Sequence, residues 1–291
     1  MIGTRVTNKM LSDSALRGLQ NNLARNAQLQ EQLSSGKLLT RPSDNPSGAV
    51  TSMQMRTQQR LDTQYLSNID NADGRLNTAD LALQDISKLL GRAKELAVNA
   101  QDPSLPDASR SAINAELLVI QKGVTDAYNT QWLGRPIFGG TATGSVALDP
   151  DGVYVGNDLP VTARVAREVS VRIDVSGVEA GADFVPGLLN DLAAMIADGG
   201  SDTSNFQDQL DGIHQQLLTT LGNVGARAAQ VASTKNRVES EQLELKTRIT
   251  NNEDVDLPKA ILELQSSAVA YQASLGAAGK ILQTSLLDYL R

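Results

Sequence analysis

The chain has 291 residues and a formal net charge of −7 at pH 7, with 41% hydrophobic but only 3% aromatic residues. The apolar residues are mostly aliphatic, a composition that favours helices packed side by side. The acidic balance argues against nucleic acid as the main partner. Cysteine is absent and His214 is the single histidine, which excludes disulfides, thiol nucleophiles and zinc sites of Cys or paired His.

The charge is unevenly distributed along the chain. Residues 1–60 contain eight basic and three acidic residues. A basic, amphipathic start is also typical of an organellar transit peptide, an interpretation that a matching helix at the far C-terminus disfavours. Apolar runs stay well short of the roughly 20 residues that span a bilayer, and no secretory signal peptide is evident. We therefore expect no membrane insertion, and if the protein leaves the cell, it does so by a route that needs no cleaved signal peptide.

The first predicted helix covers residues 10–33. Its apolar residues recur mostly at steps of three and four along one stripe: Leu16, Leu19, Leu23, Ala27 and Leu33. Gly36 can adopt the left-handed conformation that closes a helix. We therefore expect this helix to end at Gly36.

The stretch RPSDNPSG predicts a joint before the next helix. Pro42 and Pro46 disfavour helical geometry in the residues before them. Asp44 and Asn45, which lie between the prolines, belong to the same turn. A serine, Ser43 or Ser47, is expected to cap the helix that follows.

The second predicted helix runs from about Ser47 to Asn99. Its apolar residues alternate steps of three and four without a miss, which predicts a heptad seam of nine residues: Ile69, Ala72, Leu76, Ala79, Leu83, Ile86, Leu90, Ala93 and Ala97. After the turn QDPSLPD, a shorter helix carries Ile113, Leu117, Ile120, Val124 and Ala127 on one face.

The period then changes from helix to strand. NTQWLGRPIFGGTATG interrupts the helix, with Gly139 and Gly140 at a turn. Val169, Val171, Ile173 and Val175 alternate with polar neighbours, and PDGVYVGND carries hairpin-type turns. Helical spacing returns along one further stripe: Phe206, Leu210, Ile213, Leu217, Val224, Val231, Val238, Leu245 and Ile249. A last helix, after NNEDVDLP, carries a matching stripe to the end of the chain: Ile261, Leu264, Ala268, Tyr271, Leu275, Ala278 and Leu282.

These elements predict a mainly α fold. The matching stripes at the two ends predict a pair of terminal helices, antiparallel or parallel, with a small β-rich insert between the helical segments. The chain then divides into residues 1–45 and 255–291 as terminal helices, 46–140 and 201–254 as a helical rod, and 141–200 as the β-rich insert.

The terminal helices carry too little apolar surface to be stable alone. Ordering each residue costs about 1–2 kcal/mol of backbone freedom, which a thin stripe offsets poorly. We expect both ends to complete their folding when neighbouring subunits cover them; docking on their own rod is the alternative. The predicted assembly interface comprises Leu16, Leu19, Leu23, Leu33, Ile261, Leu264, Tyr271, Leu275, Leu282 and Leu286.

Four stretches of the sequence resemble the flagellin family. QLSSGKLLTRPSDNPSGA, with its proline-bracketed PSDNP, is similar to the N-terminal signature of the hook–filament junction branch. GRPIFGGTATG, YVGND and LELQSSAVAYQASLGAAGKILQTSLLDYL resemble family motifs in the exit from the rod, the outer domain and the terminal helix. The resemblance covers nearly the whole chain, with the outer insert weakest. It implies a long antiparallel helical rod or coiled coil formed by the N- and C-terminal segments, in which residues 1–45 and 255–291 form the inner coiled coil and 141–200 form a β-rich outer domain.

The resemblance implies a structural component of the bacterial flagellum with no catalytic activity and no cofactor. Such members form a ring by self-association, between the adjacent hook-associated junction protein and flagellin. They are exported unfolded by the flagellar type III system, after a cytoplasmic export chaperone has bound the C-terminal segment. The implied location is extracellular, in the flagellum. Flagellin itself, the filament subunit, remains the alternative.

Other interpretations of the sequence find less support. GRPIFGGTATG lacks the Lys-Ser/Thr pair of a phosphate-binding loop. His214 has no second His or Cys near it in sequence and is expected at the surface or its boundary. Glu253, Asp254 and Asp256 are expected to form a solvated acidic turn, since calcium binding needs more oxygen ligands. A generic coiled-coil scaffold or adhesin would explain the heptads but would not require the turn motifs.

Overall fold

The computed structural model describes the backbone of residues 8–43 and 45–289, and the side chains of Met10 and of residues 13–43 and 45–280. The chain divides into two compact units. One comprises Leu61–Glu241, and the other Met1–Arg60 together with Gln242–Arg291.

Helices account for most of the described chain. In chain order they are α1 (Asn8–Ser35), α2 (Pro46–Asn99), α3 (Asp107–Tyr128), α4 (Val185–Ala197), α5 (Ser204–Glu253) and α6 (Leu257–Tyr289). The strands are short: β1 (Gln131–Trp132), β2 (Arg135–Pro136), β3 (Thr162–Ala166) and β4 (Val169–Arg172), paired as the antiparallel hairpins β1–β2 and β3–β4. The expected fold class, a mainly helical chain with a small outer insert containing strands, is confirmed.

The core of the unit Leu61–Glu241 is built on the heptad seam of α2. Each of the nine predicted seam residues, from Ile69 to Ala97, is at most 1% exposed. Buried residues of α3 and α5 complete the same hydrophobic cluster. The helices α2 and α5 run antiparallel, because Asp70 pairs with Lys235 (2.8 Å) while Lys94 pairs with Asp211 at the other end. His214 is half-buried on α5, with its ring 3.4 Å from the Ser87 hydroxyl.

The outer region packs onto this core through aromatic residues and a helix. Tyr128, at the end of α3, meets Phe138 edge to face with ring centroids 5.7 Å apart, and its hydroxyl donates to the Ala180 carbonyl (2.6 Å). Helix α4 buries Leu188, Leu189, Leu192 and Ile196. The sequence pattern does not predict this helix inside residues 141–200.

One strand is shorter than the alternating pattern predicted. β4 ends at Arg172, so the expectation that Ile173 and Val175 continue the strand is wrong. The Asp174 carboxylate accepts from the Val161 amide (2.8 Å) and from the Arg172 guanidinium (3.0 Å). The Ile173 amide still donates to the Val161 carbonyl (2.9 Å), but the Val161 amide donates to the Asp174 side chain and not to a main-chain carbonyl, so the regular ladder goes no further.

Candidate assembly interface and helix joint

The two terminal helices, α1 and α6, pack against each other in antiparallel orientation. The Asn22 side-chain amide donates to the Ser274 hydroxyl (3.0 Å), and that of Asn26 donates to the Ser267 carbonyl (3.4 Å). Later residues of α1 thus meet earlier residues of α6. Nearer the joint, Leu29 and Ala260 are the most deeply buried apolar residues of the pair, at 6% and 4% exposed.

The predicted interface residues fall into two groups. Leu19 and Leu33 lie on the face of α1 that carries Asn22 and Asn26, and Leu264 and Tyr271 lie on the face of α6 that carries Ser267 and Ser274. All four are at least partly buried. These four residues belong to the α1–α6 contact within one chain.

The second group is about half exposed. It consists of Leu16, Leu23, Ile261 and Leu275, each between 46% and 53% exposed. On α6 the sequence prediction missed Leu262 and Val269, which are 67% and 65% exposed. The side chains of Leu282 and Leu286 lie outside the described residues. We call six of the exposed apolar residues of these helices the outward face: Leu16, Leu23, Ile261, Leu262, Val269 and Leu275. Isolated exposed apolar residues are ordinary, whereas a group on paired helices indicates a binding surface.

Turn chemistry forms the joint between α1 and α2 largely as expected. Gly36 has φ of 69°, a left-handed conformation that follows the end of α1. Pro42 is exposed and lines a cavity of about 270 Å³ beside the start of α2. Asp44 lies outside the described residues.

The cap of α2 differs from the prediction. Asn45, not Ser43 or Ser47, caps the helix: its side-chain oxygen accepts from the Gly48 amide (2.9 Å). Pro46 occupies the first helical position, where its missing N–H and fixed φ cost nothing, so it begins α2 and does not interrupt it. The Ser47 hydroxyl donates to the same Asn45 oxygen (3.2 Å). An Asn-Pro pair is itself a start signal for a helix, and the expectation of a serine cap overlooks it.

The second connector, between α5 and α6, lies against the first. The Leu38 amide donates to the Glu253 carbonyl (2.6 Å), and the Val255 amide donates to the Gly36 carbonyl (3.0 Å). Lys37 and Asp254 form an isolated antiparallel β-bridge. The two connectors, which are distant in sequence, are therefore held together by backbone hydrogen bonds.

Glu253 is the centre of a charged cluster at this joint. Its side chain is 7% exposed and receives two hydrogen bonds from the Arg56 guanidinium, 2.8 Å from Nε to Oε1 and 2.6 Å from Nη2 to Oε2. Ser52 donates to the same carboxylate, and Lys37 Nζ lies 3.6 Å from it. We call Lys37, Ser52, Arg56 and Glu253 the joint cluster.

The joint cluster changes the acidity of its carboxyl group. The hydrogen bonds from Arg56, together with that from Ser52 and the charges of Arg56 and Lys37, outweigh burial and lower the pKa of Glu253 to about 2. The hydrogen bond to Asp254 raises the pKa of Lys37. Glu253 and Lys37 are therefore both charged at neutral pH. Their attraction helps to hold the two connectors together.

The expectation of a solvated acidic turn at Glu253, Asp254 and Asp256 is therefore wrong for Glu253. Asp254 pairs with Lys37, and the Asp256 carboxylate accepts from the Lys259 amide (3.2 Å) as a cap of α6. The proline two residues after Asp256 could have indicated this cap. No local signal could have identified Glu253, because its partners lie about 200 residues away in the chain.

Gly139 and Gly140 form a tight turn of the outer region and lie far along the chain from the helix joint. The Gly139 carbonyl accepts from the Asn157 amide (3.2 Å). Gly140 has φ of 64°, and a Cβ there would lie 2.2 Å from the Asn157 carbonyl oxygen. The Asn157 side chain also accepts from the Thr141 amide (2.9 Å), so this turn and the YVGND stretch hold each other in place.

Membrane spanning and metal binding find no support in the described part of the chain. Across 8–43 and 45–289, no helix is both long and apolar enough to cross a membrane. The same residues bring together no group of three His, Cys, Asp or Glu side chains that could hold a metal ion.

Comparison with known proteins relates this architecture to the flagellum. Residues 6–143 match the bacterial flagellin N-terminal helical region. Flagellar hook-associated protein 3 of Salmonella typhimurium is 27% identical over 288 residues, which cover 97% of this chain and 87% of that protein. Over most of its length, the chain is similar to a protein of the flagellin family.

A flagellin and a solved structure are also similar to much of the chain. A flagellin of Halalkalibacterium halodurans is 24% identical over 270 residues, covering 90% of this chain and 89% of that protein. The crystal structure of flagellar hook associated protein-3 from Legionella pneumophila superposes with a TM-score of 0.60 at 12% identity, over 68% of this chain and 98% of that one. At such low identity, this last likeness establishes the fold alone.

Proposed function

We propose that this chain is a hook-associated protein 3 of the bacterial flagellum, a structural adaptor that joins the hook to the flagellin filament. The observation that carries the proposal is similarity to a hook-associated protein 3 along 97% of the chain, both terminal helices included. The chain acts by assembling, with no catalysis and no cofactor.

The outward face is the part of the chain that mediates this assembly. Its residues are about half to two-thirds exposed on helices whose inner faces already pack on each other. Burial of a fully exposed aliphatic side chain contributes about 1.5–3 kcal/mol, so several such residues per subunit make a strong driving force. Neighbouring copies in a ring cover this face.

The partners follow from the position between two different structures. One edge of the ring binds the adjacent hook-associated junction protein and the other binds flagellin. Before export, a cytoplasmic chaperone covers the C-terminal segment, and the flagellar type III system carries the chain to the extracellular end of the flagellum. Residues 1–45 and 255–291 form the inner coiled coil, 46–140 and 201–254 the wall, and 141–200 the outer domain.

Flagellin is the second candidate function, favoured by the similarity to a flagellin over 90% of the chain. The two functions differ in how a subunit binds its own copies. A filament subunit must bind its own kind end to end without limit, whereas an adaptor needs different partners at its two edges.

Seeded growth tests the proposal. Purified chain is added to isolated basal bodies capped by the hook-associated junction protein, and the products are imaged before and after flagellin is supplied. A junction protein adds one short layer and then permits flagellin to extend. Long filaments made of this chain alone would establish flagellin as the function, and a failure to bind the seeds would refute both assignments.

A further inference from the structure

The contact between α1 and α6 follows a heptad spacing on both helices. Apart from Gln32, which donates to the Leu38 carbonyl, and Glu263, the buried and half-buried positions recur at steps of four and three. On α1 they are Ala15, Leu19, Asn22, Asn26, Leu29 and Leu33, and on α6 they are Ala260, Leu264, Ser267, Tyr271, Ser274 and Ala278. This is the seam of an antiparallel coiled coil, in which such positions are normally apolar.

Four of these positions carry polar side chains, at the middle of the described seam. Asn22 binds the Ser274 hydroxyl, and Asn26 binds the Ser267 carbonyl. Among the described residues, Asn26 Oδ1 and Ser267 Oγ are buried and make no hydrogen bond. A seam that needed only strength would carry leucines here, because half-satisfied buried polar groups weaken a contact.

The apolar residues of the seam do not determine one register. A slip of one heptad in either direction keeps the steps of four and three and places seam position on seam position. The leucines are few, and alanine at both ends of the seam tolerates many neighbours. Selection among the registers has to come from the polar positions.

Each slip breaks the hydrogen bond between the Asn22 and Ser274 side chains and leaves one asparagine of the seam without a serine opposite it. The bond from Asn26 to the Ser267 main-chain carbonyl does not depend on the serine side chain. If α6 shifts one way, Asn26 comes opposite Ala260. If it shifts the other way, Asn22 leaves Ser274, which then comes opposite Asn26. A buried amide or hydroxyl against an alkyl side chain loses its hydrogen bond to water and gains none.

We propose that the antiparallel register of the α1–α6 pair is set by its four central polar residues: Asn22, Asn26, Ser267 and Ser274. These polar residues make the pair less stable than leucines would, but they favour a single alignment of the two helices. The alignment in turn determines which apolar residues form the outward face. The inference concerns contacts within one chain and holds whether or not the chain is a junction protein.

Disulfide trapping in the full chain tests the proposal, since the chain has no cysteine of its own. Arg25 Nη2 lies 3.8 Å from Glu263 Oε2, so Arg25→Cys with Glu263→Cys reports the observed register. Arg25→Cys with Ala270→Cys reports a slip of one heptad, and Gly18→Cys with Glu263→Cys reports the opposite slip. Rates of intramolecular disulfide formation in dilute protein compare the registers even when the pair opens transiently.

We expect the pair in the observed register to form its disulfide about tenfold faster than either slipped pair. A fourfold variant combines Asn22→Leu, Asn26→Leu, Ser267→Ala and Ser274→Ala. In this variant the disulfide of the observed register should form no more than about threefold faster than that of either slipped register. The matched control, Asn21→Leu with Gln28→Leu and Ser266→Ala, makes the same kinds of change at exposed positions and should keep the full advantage.

Two results would overturn the proposal: equal rates for the three pairs in the unmodified seam, or an undiminished preference in the fourfold variant. Circular dichroism verifies that each variant stays helical. Should the fourfold variant lose its helices, Asn22→Leu with Ser274→Ala removes the side-chain hydrogen bond alone and must still reduce the preference.

Discussion

Glu253 connects two parts of the chain that the sequence keeps about 200 residues apart. Its carboxylate side chain is 7% exposed, yet its partners Arg56 and Lys37 have side chains 57% and 44% exposed. The cations stay hydrated while the anion is desolvated. This arrangement avoids much of the desolvation cost of a fully buried ion pair and keeps the attraction.

Glu253→Gln should lower the free energy of unfolding by about 2–3 kcal/mol. The amide removes the charge that Arg56 and Lys37 face and leaves their hydrogen bonds weaker, although both cations can turn to water. Urea titration followed by circular dichroism measures the change. Glu244→Gln, which breaks an exposed pair with Arg248, is the control and should cost less than about 0.5 kcal/mol. Equal effects of the two changes would contradict a central role for Glu253.

Protonation of Glu253 weakens the joint at acid pH. The pKa of the carboxyl is 4.5 in the unfolded chain and about 2 in the folded one, so its contribution to stability is complete above the unfolded value and disappears as the pH falls through the folded value. The free-energy difference between wild type and Glu253→Gln should therefore shrink by about 2–3 kcal/mol across that interval. A difference that stays constant from neutral pH down to the folded-state pKa would disprove the lowered value.

Substitution of Gly140 tests whether the turn of the outer region requires a glycine. Gly140→Ala should destabilise the unit Leu61–Glu241 by about 2 kcal/mol or more, because φ of 64° strains a side chain and the new Cβ meets the Asn157 carbonyl. Thermal unfolding measures it. Gly144→Ala, whose Cβ would have only an ordinary contact of 3.6 Å, is the control and should be neutral or slightly stabilising. A neutral Gly140→Ala would mean that the turn readily rearranges.

At the scale of elements, the sequence predicted the helical spacing of α6 correctly but placed part of its buried face one residue too far along the chain. The predicted stripe of α6 contained Ile261, Ala268 and Leu275, and the observed seam contains Ala260, Ser267 and Ser274 in their place. Only Leu264, Tyr271 and Ala278 belong to both. The prediction chose the more apolar residue at each step of the stripe. In the structure, the α1–α6 pair instead buries serines, which contact asparagines of α1.

The displaced residues make the outward face testable. Ile261→Asp with Leu275→Asp should abolish incorporation on capped hooks while changing the unfolding free energy of the isolated chain by less than about 0.5 kcal/mol, since both side chains are already 46% exposed. Sedimentation and imaging with seeds measure incorporation. Gln265→Asp with Gln272→Asp adds the same charges at exposed polar positions and should still assemble. Normal incorporation of the Ile261→Asp, Leu275→Asp variant would remove the outward face from the interface.

At the scale of the whole molecule, the two compact units have different sources of stability. The hydrophobic cluster of Leu61–Glu241 extends from Tyr65 to Val238 and, among the described residues, includes none of the other unit. The α1–α6 contact is narrow and partly polar. The prediction that the ends complete their folding only in the assembly therefore stays a prediction, and it applies to one unit.

Deletion of residues 262–291 separates the two units. The expected product does not assemble but keeps a cooperative thermal transition, because the main cluster draws on none of the described residues in the deleted segment. Near-ultraviolet circular dichroism of Tyr128 and Trp132 reports the state of that cluster. Loss of the transition would show that the units depend on each other, as a generic scaffold with one continuous coiled coil would require.

The sequence by itself determined the long helices, the α2 seam and the position of the joint. A heptad seam depends only on the order of apolar residues along one helix. Gly36 and the Asn45-Pro46 pair determine the conformation of the backbone at their own positions. It also carried the family resemblance. Tertiary structure alone decided that Glu253 is buried between two connectors and which face of α6 is outward. Those outcomes depend on which residues meet across about 200 positions of chain, and a local pattern contains no information about its distant partner.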